Sequence, residues 1–548
     1  MARLDRLGPV AKEVAQIGAA IGREFSYEVL APIAWKSDAE VQTALSRLTE
    51  AGLVFCRGAP PQASFLFKHA LVRDVAYGSL LREQRQQLHA RIFTTLEAQS
   101  SEMADQQPEI LAQHCTEAEL NEEAVTYWTR AARQSMERHA VIEATAQARR
   151  GLAVMMRLPD GPARWRQELE LTSVLAGSLN ASIGAAAPET GQVYVRARKL
   201  CMRLGETAAL VPVLSGLSAH HAQRCELAAM REIGQELLRL GDEEKDISCQ
   251  LHGHREMGGC LYWLGEFLLA RKHLERALDL YIPQVHRSMI SVDGFDTRGV
   301  SLSNLSYTLF ILGYPHQARS RSLEALSWAR ELNHPHVLAH ALAMASAYNL
   351  ACGNVGTAQE VVQELRALAS EHGFHIWGAS AKIHQGLVLA QLGDRSQGLA
   401  LAREGLIERR VTGSVLWKPF QLGFMARACA SMGQVDEGIH LLDEALQTAE
   451  TTGERHFDAE LQRVKGECLV AQHQAEAEAS FQMAVEVAQQ QHARMWELRA
   501  SMSLARLWRD QGKHTEAYEL LGPIFGWFTE GFDTPDLKEA KALLDLLK

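Results

Sequence analysis

Long apolar runs are missing from this sequence of 548 residues. No stretch approaches the roughly 18 consecutive apolar residues that a membrane-spanning helix requires. The first residues, MARLDRLGPVAKEV, are charged and lack the apolar segment of a secretory signal. These absences predict a cytoplasmic protein that has no membrane partner.

Paired cysteines are missing as well. The nine Cys residues are scattered from Cys56 to Cys468, and none belongs to a CxxC pair. Such a set indicates small buried thiols in a reducing compartment. Two groups combine metal-ligand residue types: His220, His221 and Cys225, and Cys249, His252, His254 and Cys260. Because both groups fall in predicted helix and zinc needs four converging ligands, the sequence favours ordinary helix residues and predicts no metal.

Motifs for catalysis and cofactor binding are also absent. The sequence contains no GxxxxGKS/T phosphate-binding loop and no GxGxxG, GxSxG or HExxH. The segment Gln511-Gly512-Lys513-His514 lacks the first glycine and the final Ser or Thr of a phosphate-binding loop. No paired-aspartate pattern of a cyclase metal site is found. We therefore expect a chain with no catalytic residues of its own and no cofactor.

The sequence also lacks a surplus of positive charge. It has 56 Lys and Arg against 66 Asp and Glu, which gives a net charge of −10. Because binding to a phosphate backbone needs a surplus of Lys and Arg, nucleic acid is not expected as a partner.

A repeat of 40 residues is the strongest positive feature of the sequence. Copies close at Gly313, Gly353, Gly393 and Gly433, which are spaced by 40 residues, then at His473 and, one residue early, at Gly512. Gly265 has the same role in an earlier copy. Five residues after each glycine lies a small residue, and these are Ala270, Ala318, Ala358, Gly398, Gly438 and Ala517. The pattern predicts helical hairpins, because glycine permits a left-handed turn and small residues let two helices approach closely.

Such a hairpin cannot bury its apolar face alone, so neighbouring hairpins must stack into a solenoid. The pattern LG-x4-A followed by x6-A resembles the tetratricopeptide repeat over roughly residues 100–548. The period of 40 exceeds the usual 34 or so and implies longer helices. We expect an all-α protein in which residues 250–548 form a right-handed superhelix of stacked hairpins without β-sheet.

Residues 1–98 follow a different pattern. Three helices are predicted for LDRLGPVAKEVAQIGAAIG, FSYEVLAPIA and SDAEVQTALSRLTEAGLV. GLVFCRG and ASFLFK, separated by a Pro-Pro turn, predict a two-stranded wing, so the layout is that of a winged helix. The third helix offers only Arg47 as a base against Asp38, Glu40 and Glu50. DNA binding by this module is therefore not favoured.

The run FKHALVRDVAY, from Phe67 to Tyr77, follows an LDRL start and an IGREF phrase. Together these segments resemble the winged-helix domain of STAND signalling ATPases, which in that family follows a nucleotide-binding domain and precedes a repeat sensor. The run also resembles the MHD motif of that family, whose His contacts the ADP phosphate. The resemblance implies that His69 contacts nucleotide on a nucleotide-binding domain that this chain lacks. Ala70 departs from the motif's Asp, and a capping or core role for His69 is the alternative.

The final segment, SLARLWRDQGKHTEAYELLGPIFGWFTEGFDTPDLKEAKALLDLL, resembles the end of bacterial proteins that join a class III adenylate or guanylate cyclase, an ATPase and such repeats. The resemblance implies the C-terminal part of such a protein, present as a truncated or split version. We expect a winged-helix-like module with a trailing helix at 1–98, irregular helical repeats at 99–250 and the repeat superhelix at 251–548. The expected function is a non-catalytic sensor arm, and a free-standing protein scaffold is the alternative.

The resemblance to tetratricopeptide arrays also implies a binding groove. In such arrays the first helix of each hairpin lines the concave surface, at slots about 13, 10, 6 and 3 residues before the turn. The aromatic and basic residues at these slots are His252, Arg255, Tyr262, Tyr307, Phe310, His340, Phe420, Arg427, Arg499, Arg506 and Arg509. None of the slots is acidic, which predicts a groove for an acidic protein segment or a small anionic effector. The alternative is that several of these residues pack between helices.

Overall fold

The structure is a computed structural model, and it describes residues 2–99, 105–287 and 296–548. Contacts divide the chain into two compact units, Met1–Leu175 and Ala176–Lys548. The boundaries at residues 98 and 250 that the sequence suggested stay predictions. No helix in the described ranges combines the length and the hydrophobicity that spanning a membrane requires.

The first unit combines helices with one small antiparallel sheet. Its helices are α1 (Ala2–Asp5), α2 (Pro9–Ile21), α3 (Tyr27–Ala34), α4 (Asp38–Glu50), α5 (Ala70–Gly78), α6 (Arg82–Gln99), α7 (Pro108–Glu117), α8 (Asn121–Glu137) and α9 (Val141–Met155). Its strands are β1 (Glu24–Ser26), β2 (Val54–Arg57) and β3 (Ser64–Phe67), in the order β1-β3-β2. Strands β2 and β3 are the two predicted from the sequence.

Two local features explain the N-terminal part of this unit. Helix α4 begins with a capping box, in which Glu40 accepts from the backbone N–H of Ser37 at 3.0 Å and Ser37 Oγ accepts from the N–H of Glu40 at 3.4 Å. Strand β1 was not predicted, because three residues are too few to show an alternating pattern. It forms because Phe25 pairs with Phe65 and is buried against Gly18 of α2.

The second unit consists of helices throughout its described residues. After α10 (Pro162–Ser182), which contains the unit boundary, come α11 (Pro188–Leu204), α12 (Thr207–Gln223), α13 (Leu227–Glu244), α14 (Ile247–Trp263), α15 (Phe267–Leu280), α16 (Pro283–His286), α17 (Thr297–Ile311), α18 (Pro315–Leu332), α19 (Pro335–Ala351), α20 (Val355–His372), α21 (His375–Leu392), α22 (Arg395–Val411), α23 (Lys418–Ser431), α24 (Val435–Thr452), α25 (Asp458–Leu469), α26 (Gln474–Gln490), α27 (Arg494–Asp510), α28 (His514–Trp527) and α29 (Pro535–Leu547). We call the first helix of each hairpin the A helix and the second the B helix.

The turns between A and B helices confirm the predicted hairpins. The left-handed turn glycines are Gly265, Gly313, Gly353, Gly393, Gly433 and Gly512, with φ between 75° and 111°. The residue after the turn donates its N–H to a carbonyl five residues back, as Tyr314 does to Leu309 at 2.8 Å. The all-α fold with a tetratricopeptide-like solenoid is therefore confirmed, whereas its right-handed sense stays a prediction.

The same turn occurs one period earlier, at Cys225. Its φ is 54°, and the next residue, Glu226, donates its N–H to His221 at 2.8 Å. Helices α12 and α13 therefore form the hairpin that precedes α14 and α15. The sequence did not fix this register because a cysteine occupies the position where the other copies have glycine.

Within a hairpin, the two helices touch through their backbones. A Cβ added at Gly386 of α21 would lie 2.5 Å from the carbonyl oxygen of Gly398 in α22 and 2.6 Å from the nitrogen of Ala402. This contact explains why small residues follow each turn. The A helices are buried on nearly all sides, as α19 shows, because each lies between its own B helix and the neighbouring hairpins.

The array closes on itself between hairpins that are distant in sequence. Ser414 donates its hydroxyl to the side chain of Gln223, 191 residues away, at 2.7 Å. The backbone N–H of Val415 donates to the carbonyl of Gln223 at 2.9 Å, and that of Arg455 donates to Trp263 at 2.7 Å. The ends of α12 and α14 thus meet the segments that follow α22 and α24.

A buried carboxyl group lies at the centre of this closure. Glu454 is fully buried, and its side chain accepts the backbone N–H of Trp417 at 3.0 Å and the thiol of Cys225 at 3.4 Å. Burial raises the pKa of Glu454 from 4.5 to about 8. Three loops from three hairpins therefore meet on one side chain.

Aromatic rings fill much of the space inside the closed array. The rings of Trp263 and Trp417 lie 5.0 Å apart, and those of Tyr307 and Trp417 lie 5.3 Å apart. The cluster continues through Tyr262, Phe310, Tyr348, Phe420, His456, Phe457 and Trp496. Inward-facing side chains of the A helices are therefore largely core in this unit.

The first prediction concerns the backbone contact between α21 and α22. Gly386→Ala should lower the free energy of unfolding by about 1–3 kcal/mol, because the methyl group overlaps a neighbouring backbone. Urea unfolding followed by circular dichroism measures the change. Gly378→Ala in the same helix is the matched control, since no heavy atom lies within 4 Å of its added Cβ. It should leave stability unchanged or raise it by about 0.5–1 kcal/mol. Equal effects of the two changes would refute the close approach.

The second prediction concerns the ionisation of Glu454. Its pKa is about 4.5 in the unfolded chain and about 8 in the folded protein, so only the unfolded state loses the proton between these values. Stability should therefore fall as pH rises from 5 to 8, by at most about 1.4 kcal/mol per pH unit.

Glu454→Gln removes this dependence, so the stability of the variant relative to wild type should rise from pH 5 to pH 8 and then level off. Urea titrations across this range provide the test. Exposed Glu450→Gln in α24 is the control, because its carboxylate is in solvent before and after unfolding. A constant difference between Glu454→Gln and wild type would contradict the burial of a neutral carboxyl group.

Candidate functional site

The second unit contains an internal cavity of about 120 Å³. The helices that line it include A helices α12, α14, α17, α19, α21 and α23. Its apolar and aromatic walls include Met230, Trp263, Met344, Ile376, Trp377, Leu416 and Trp417. Its polar residues include Arg255, Glu256, Asn304, His340, Ser380, His384, Arg409 and Gln421. The cavity thus combines apolar surface with a few polar groups, as small-molecule sites do.

Space remains here because small residues occupy the inward slots. Gly259, Ala343 and Ala347 line the cavity, whereas the slot equivalent to Gly259 and Ala347 holds Tyr307 in α17. The aromatic cluster fills the adjoining interior. The cavity therefore lies where side-chain volume is low in two hairpins of the array.

One cation in the wall already has a counter-ion. Arg255 pairs with the carboxylate of its neighbour Glu256, which also accepts from Ser218 Oγ at 2.6 Å. Burial raises the pKa of Glu256, although the charge of Arg255 opposes this. The pair contributes donors and acceptors but no net charge when both groups are ionised.

The second cation has no counter-ion within reach. Arg409 is only 6% exposed and donates to Ser380 Oγ at 2.7 Å. No carboxylate oxygen in the described part of the chain lies within 4 Å of its guanidinium. Burial lowers the pKa of Arg409 to about 10, so it stays charged at neutral pH. Glu454 is the acidic group that acts on Arg409, but its oxygens accept from Trp417 and Cys225.

The two histidines of the cavity wall are neutral at physiological pH. Burial lowers the pKa of both His340 and His384 to about 3. His384 Nδ1 shares a hydrogen bond of 2.7 Å with Ser346 Oγ. The fixed positive charge of the cavity therefore comes from Arg409.

Several polar atoms of the cavity-lining residues lack partners. Across the described residues, no hydrogen-bond partner is found for Arg255 Nε, Trp377 Nε1, Arg409 Nε, or the amide oxygen and nitrogen of Gln421. A buried polar group without a partner is unfavourable by about 1–3 kcal/mol. These five atoms belong to residues that line one cavity, which indicates a site for a hydrogen-bonding ligand, and four of the five are donors.

The predicted groove residues fall into four environments. Arg255 and His340 line the cavity. His252 is buried behind it, where its Nδ1 shares a hydrogen bond of 2.7 Å with Ser215.

Four predicted aromatic residues lie in the core and not on an open inner surface. Tyr262, Tyr307, Phe310 and Phe420 are each at most 2% exposed, inside the aromatic cluster. Their slots do face inward, but closure of the array covers them with other hairpins. The expectation of an accessible groove at these four positions is therefore corrected.

Three of the four predicted C-terminal arginines pair with acidic side chains. Arg499 forms two hydrogen bonds to Asp536, at 2.7 and 2.8 Å, and also donates to the carbonyl of Ala351. Arg506 pairs with Glu539 at 2.5 Å, and Arg509 pairs with Asp510 at 2.8 Å. The exposed Arg427 lies 5.8 Å from the ring of Phe424. The structure does not bring these arginines to the cavity.

His69 belongs to the first unit and is exposed. It precedes α5 as the N-cap residue, but its side chain makes no capping hydrogen bond. The ring is therefore accessible, and its role toward nucleotide stays a prediction.

The two groups of possible metal ligands separate in the structure. His221 pairs with Glu226 at 2.6 Å, and His254 contacts His273 at 3.0 Å. His220 bonds to the carbonyl of Ala185 at 2.6 Å, and Cys225 donates to Glu454. Among the described residues, no three His, Cys, Asp or Glu side chains are arranged to hold a metal ion.

Arg409 was not among the predicted groove residues. All of those residues lie on A helices, whereas Arg409 lies near the end of the B helix α22. The period of 40 contains a signal that could have identified it. The equivalent positions in neighbouring B helices are the buried residues Ala329, Ala369 and Ala449. An arginine in a packing slot that holds alanine in three other copies is an exception that packing does not explain. The inward slot nine residues before the turn, occupied by Glu256, Asn304 and His384, was also overlooked.

Among known protein families, no family model matches the chain. It is 23% identical over 513 residues to an uncharacterized protein of Rhizobium meliloti (strain 1021). The match covers 92% of the chain and 49% of that protein. The chain thus spans about half the length of the curated relative that it matches.

The chain is also similar to solved structures, of which two are given. A Rap protein complexed with competence and sporulation factor is 12% identical with a TM-score of 0.49, over 68% of this chain and 99% of that chain. A STAND protein with a tetratricopeptide repeat sensor from Pyrococcus horikoshii is 13% identical with a TM-score of 0.32, over 100% of this chain and 66% of that chain.

Proposed function

We propose that the chain is a non-catalytic, cytoplasmic sensor arm of a STAND-type signalling ATPase of the cyclase-associated kind, and that it binds a small effector in the internal cavity. The observation that carries this proposal is the set of five buried polar atoms on cavity-lining residues for which no partner is found among the described residues. Leaving polar groups such as Trp377 Nε1 and the amide of Gln421 without hydrogen bonds costs free energy in the empty site. A ligand that forms hydrogen bonds with these groups recovers that free energy on binding.

The position of the cavity supports a sensing role. Arg255, Ser380 and Gln421 come from three different A helices, and Arg409 comes from a B helix. A ligand that contacts all of them links several hairpins, including those joined by the closure around Glu454. Because it binds only the closed arrangement, it stabilises that arrangement by about 2.7 kcal/mol at 100 times its dissociation constant. Binding of the effector in the cavity therefore changes the stability of the array.

The first unit provides the proposed output. Three N-terminal helices, the small antiparallel sheet and the KHALVRD sequence after β3 support the proposal that this unit begins with a winged-helix-like module. In this proposal the module docks on a nucleotide-binding domain, which is the second partner of the chain. His69 is exposed at the start of α5 and contacts bound ADP.

The third prediction tests the cavity. Ala343 lines it, and Ala343→Leu should fill enough of the space to weaken effector binding at least tenfold, or about 1.4 kcal/mol. The purified chain is incubated with the low-molecular-mass fraction of a cell extract, and native mass spectrometry then records the retained compound.

Ala367→Leu is the matched control, since Ala367 is exposed on the neighbouring helix α20. The control and the wild type should retain the same compound, and circular dichroism should show equal helicity in all three proteins. If Ala343→Leu retains as much compound as the control, binding lies elsewhere. A chain that retains no small molecule would favour the scaffold function.

The fourth prediction concerns His69. In complex with the nucleotide-binding domain, His69→Ala should accelerate ADP release about tenfold, because a charge-assisted hydrogen bond to phosphate is worth roughly 1.5–3 kcal/mol. Stopped-flow release of a fluorescent ADP analogue measures the rate. His440→Ala, at an exposed position of α24, is the control and should leave the rate unchanged. Unaltered release from the His69 variant would remove this residue from the nucleotide site.

A further inference from the structure

We infer that the cavity binds a small monocarboxylate, with its carboxylate on Arg409 and an apolar body against Trp263 and Trp417. The inference rests on the proposed function, because it names the class of effector for the same cavity. Three independent features of the site lead to it.

The first feature is charge. Arg255 is matched by Glu256, but among the described residues the buried guanidinium of Arg409 has only the hydroxyl of Ser380 as a partner. A buried cation without a counter-ion is strongly unfavourable. A ligand with one negative charge neutralises it and leaves no second charge in an apolar site.

The second feature is the set of free donors. In the part of the chain that the structure describes, no acceptor is found for Arg409 Nε, Trp377 Nε1 or the amide nitrogen of Gln421. Trp377 and Ser380 lie three residues apart on one face of α21, and Ser380 holds the guanidinium of Arg409. A carboxylate offers two acceptor oxygens that match the planar fork of arginine and can receive a further donor. A neutral amide of the same shape has only one acceptor oxygen.

The third feature is the size and character of the remaining walls. The volume of about 120 Å³ is smaller than the roughly 150 Å³ of a cavity that accommodates benzene. Nucleotides and folded peptide segments exceed this volume, whereas a small ligand matches it. Trp263, Trp417, Met344 and Leu416 provide apolar surface that inorganic phosphate would leave uncontacted. The site thus favours a carboxylate with a compact hydrocarbon body of about three to four carbons.

The experiment compares acids with their neutral amides on the full chain. Isothermal titration calorimetry is performed with 3-methylbutanoate and 2-methylpropanoate, with 3-methylbutanamide and 2-methylpropanamide, and with inorganic phosphate. We expect at least one of the two acids to bind, its amide to bind at least tenfold more weakly, and phosphate to give no heat.

The role of Arg409 is tested by Arg409→Met, which keeps a long side chain but removes the charge and the donors. This variant should lose at least 100-fold in affinity for the acid and little for the amide. Arg410→Met is the matched control at the next, exposed position and should bind as wild type does. The comparison of acid with amide uses unaltered protein, so it holds even if Arg409→Met fails to fold.

Three results would overturn the inference: no binding of either acid, equal affinity for acid and amide, or unchanged acid binding by a folded Arg409→Met. If phosphate bound more tightly than the acids, the ligand of the cavity would be a phosphate and not a carboxylate. If the acids fail while wild type still retains an extract compound that Ala343→Leu loses, the ligand class is wrong and the sensor function stands. If no compound is retained, both fail.

Discussion

The hydrogen bonds of Glu454 hold together the part of the molecule on which the candidate site depends. Stacked hairpins by themselves form an open array, because each contacts only its neighbours. Here one buried carboxyl group receives the backbone N–H of Trp417 and the thiol of Cys225, which belong to hairpins far apart in the chain. The closure changes the inner faces of the A helices from a solvent-lined groove into a core.

The cavity is a direct consequence of that closure. Where inward slots hold large rings, as at Tyr307 and Phe420, the interior is packed. Where they hold Gly259, Ala343 and Ala347, space of about 120 Å³ remains. The array thus encloses a small chamber and not a long groove. This geometry suits a small effector better than the acidic protein segment that the sequence also allowed.

Arg409 illustrates how a repeat array can carry a site without losing its fold. The neighbouring copies place alanine at this slot, where it packs without polar atoms. An arginine there brings a charge into the interior and makes that hairpin less favourable on its own. The adjoining cavity gives the guanidinium room, and Ser380 from α21 gives it one hydrogen bond. The array folds although one hairpin is less stable, because packing among the other hairpins stabilises it.

The sequence alone determined the hairpins, their period and the positions of their turns. These are local properties: a left-handed residue such as Gly353 ends a helix wherever it occurs, and a small residue such as Gly398 permits close packing of the helix next to it. The N-terminal helices and the strands β2 and β3 were likewise predictable from caps and short apolar patterns.

Tertiary structure decided which inward residues are accessible. The bond between Ser414 and Gln223 joins segments 191 residues apart, and no periodicity of 40 residues specifies such a contact. For this reason Tyr262 and Phe310 became core, while Arg255 and His340 came to face a cavity. Strand β1 also depends on a contact between distant parts of the sequence, because Phe25 pairs with Phe65 of β3. Local sequence sets the helices and turns, but only the assembled chain determines where buried space and an unpaired charge meet.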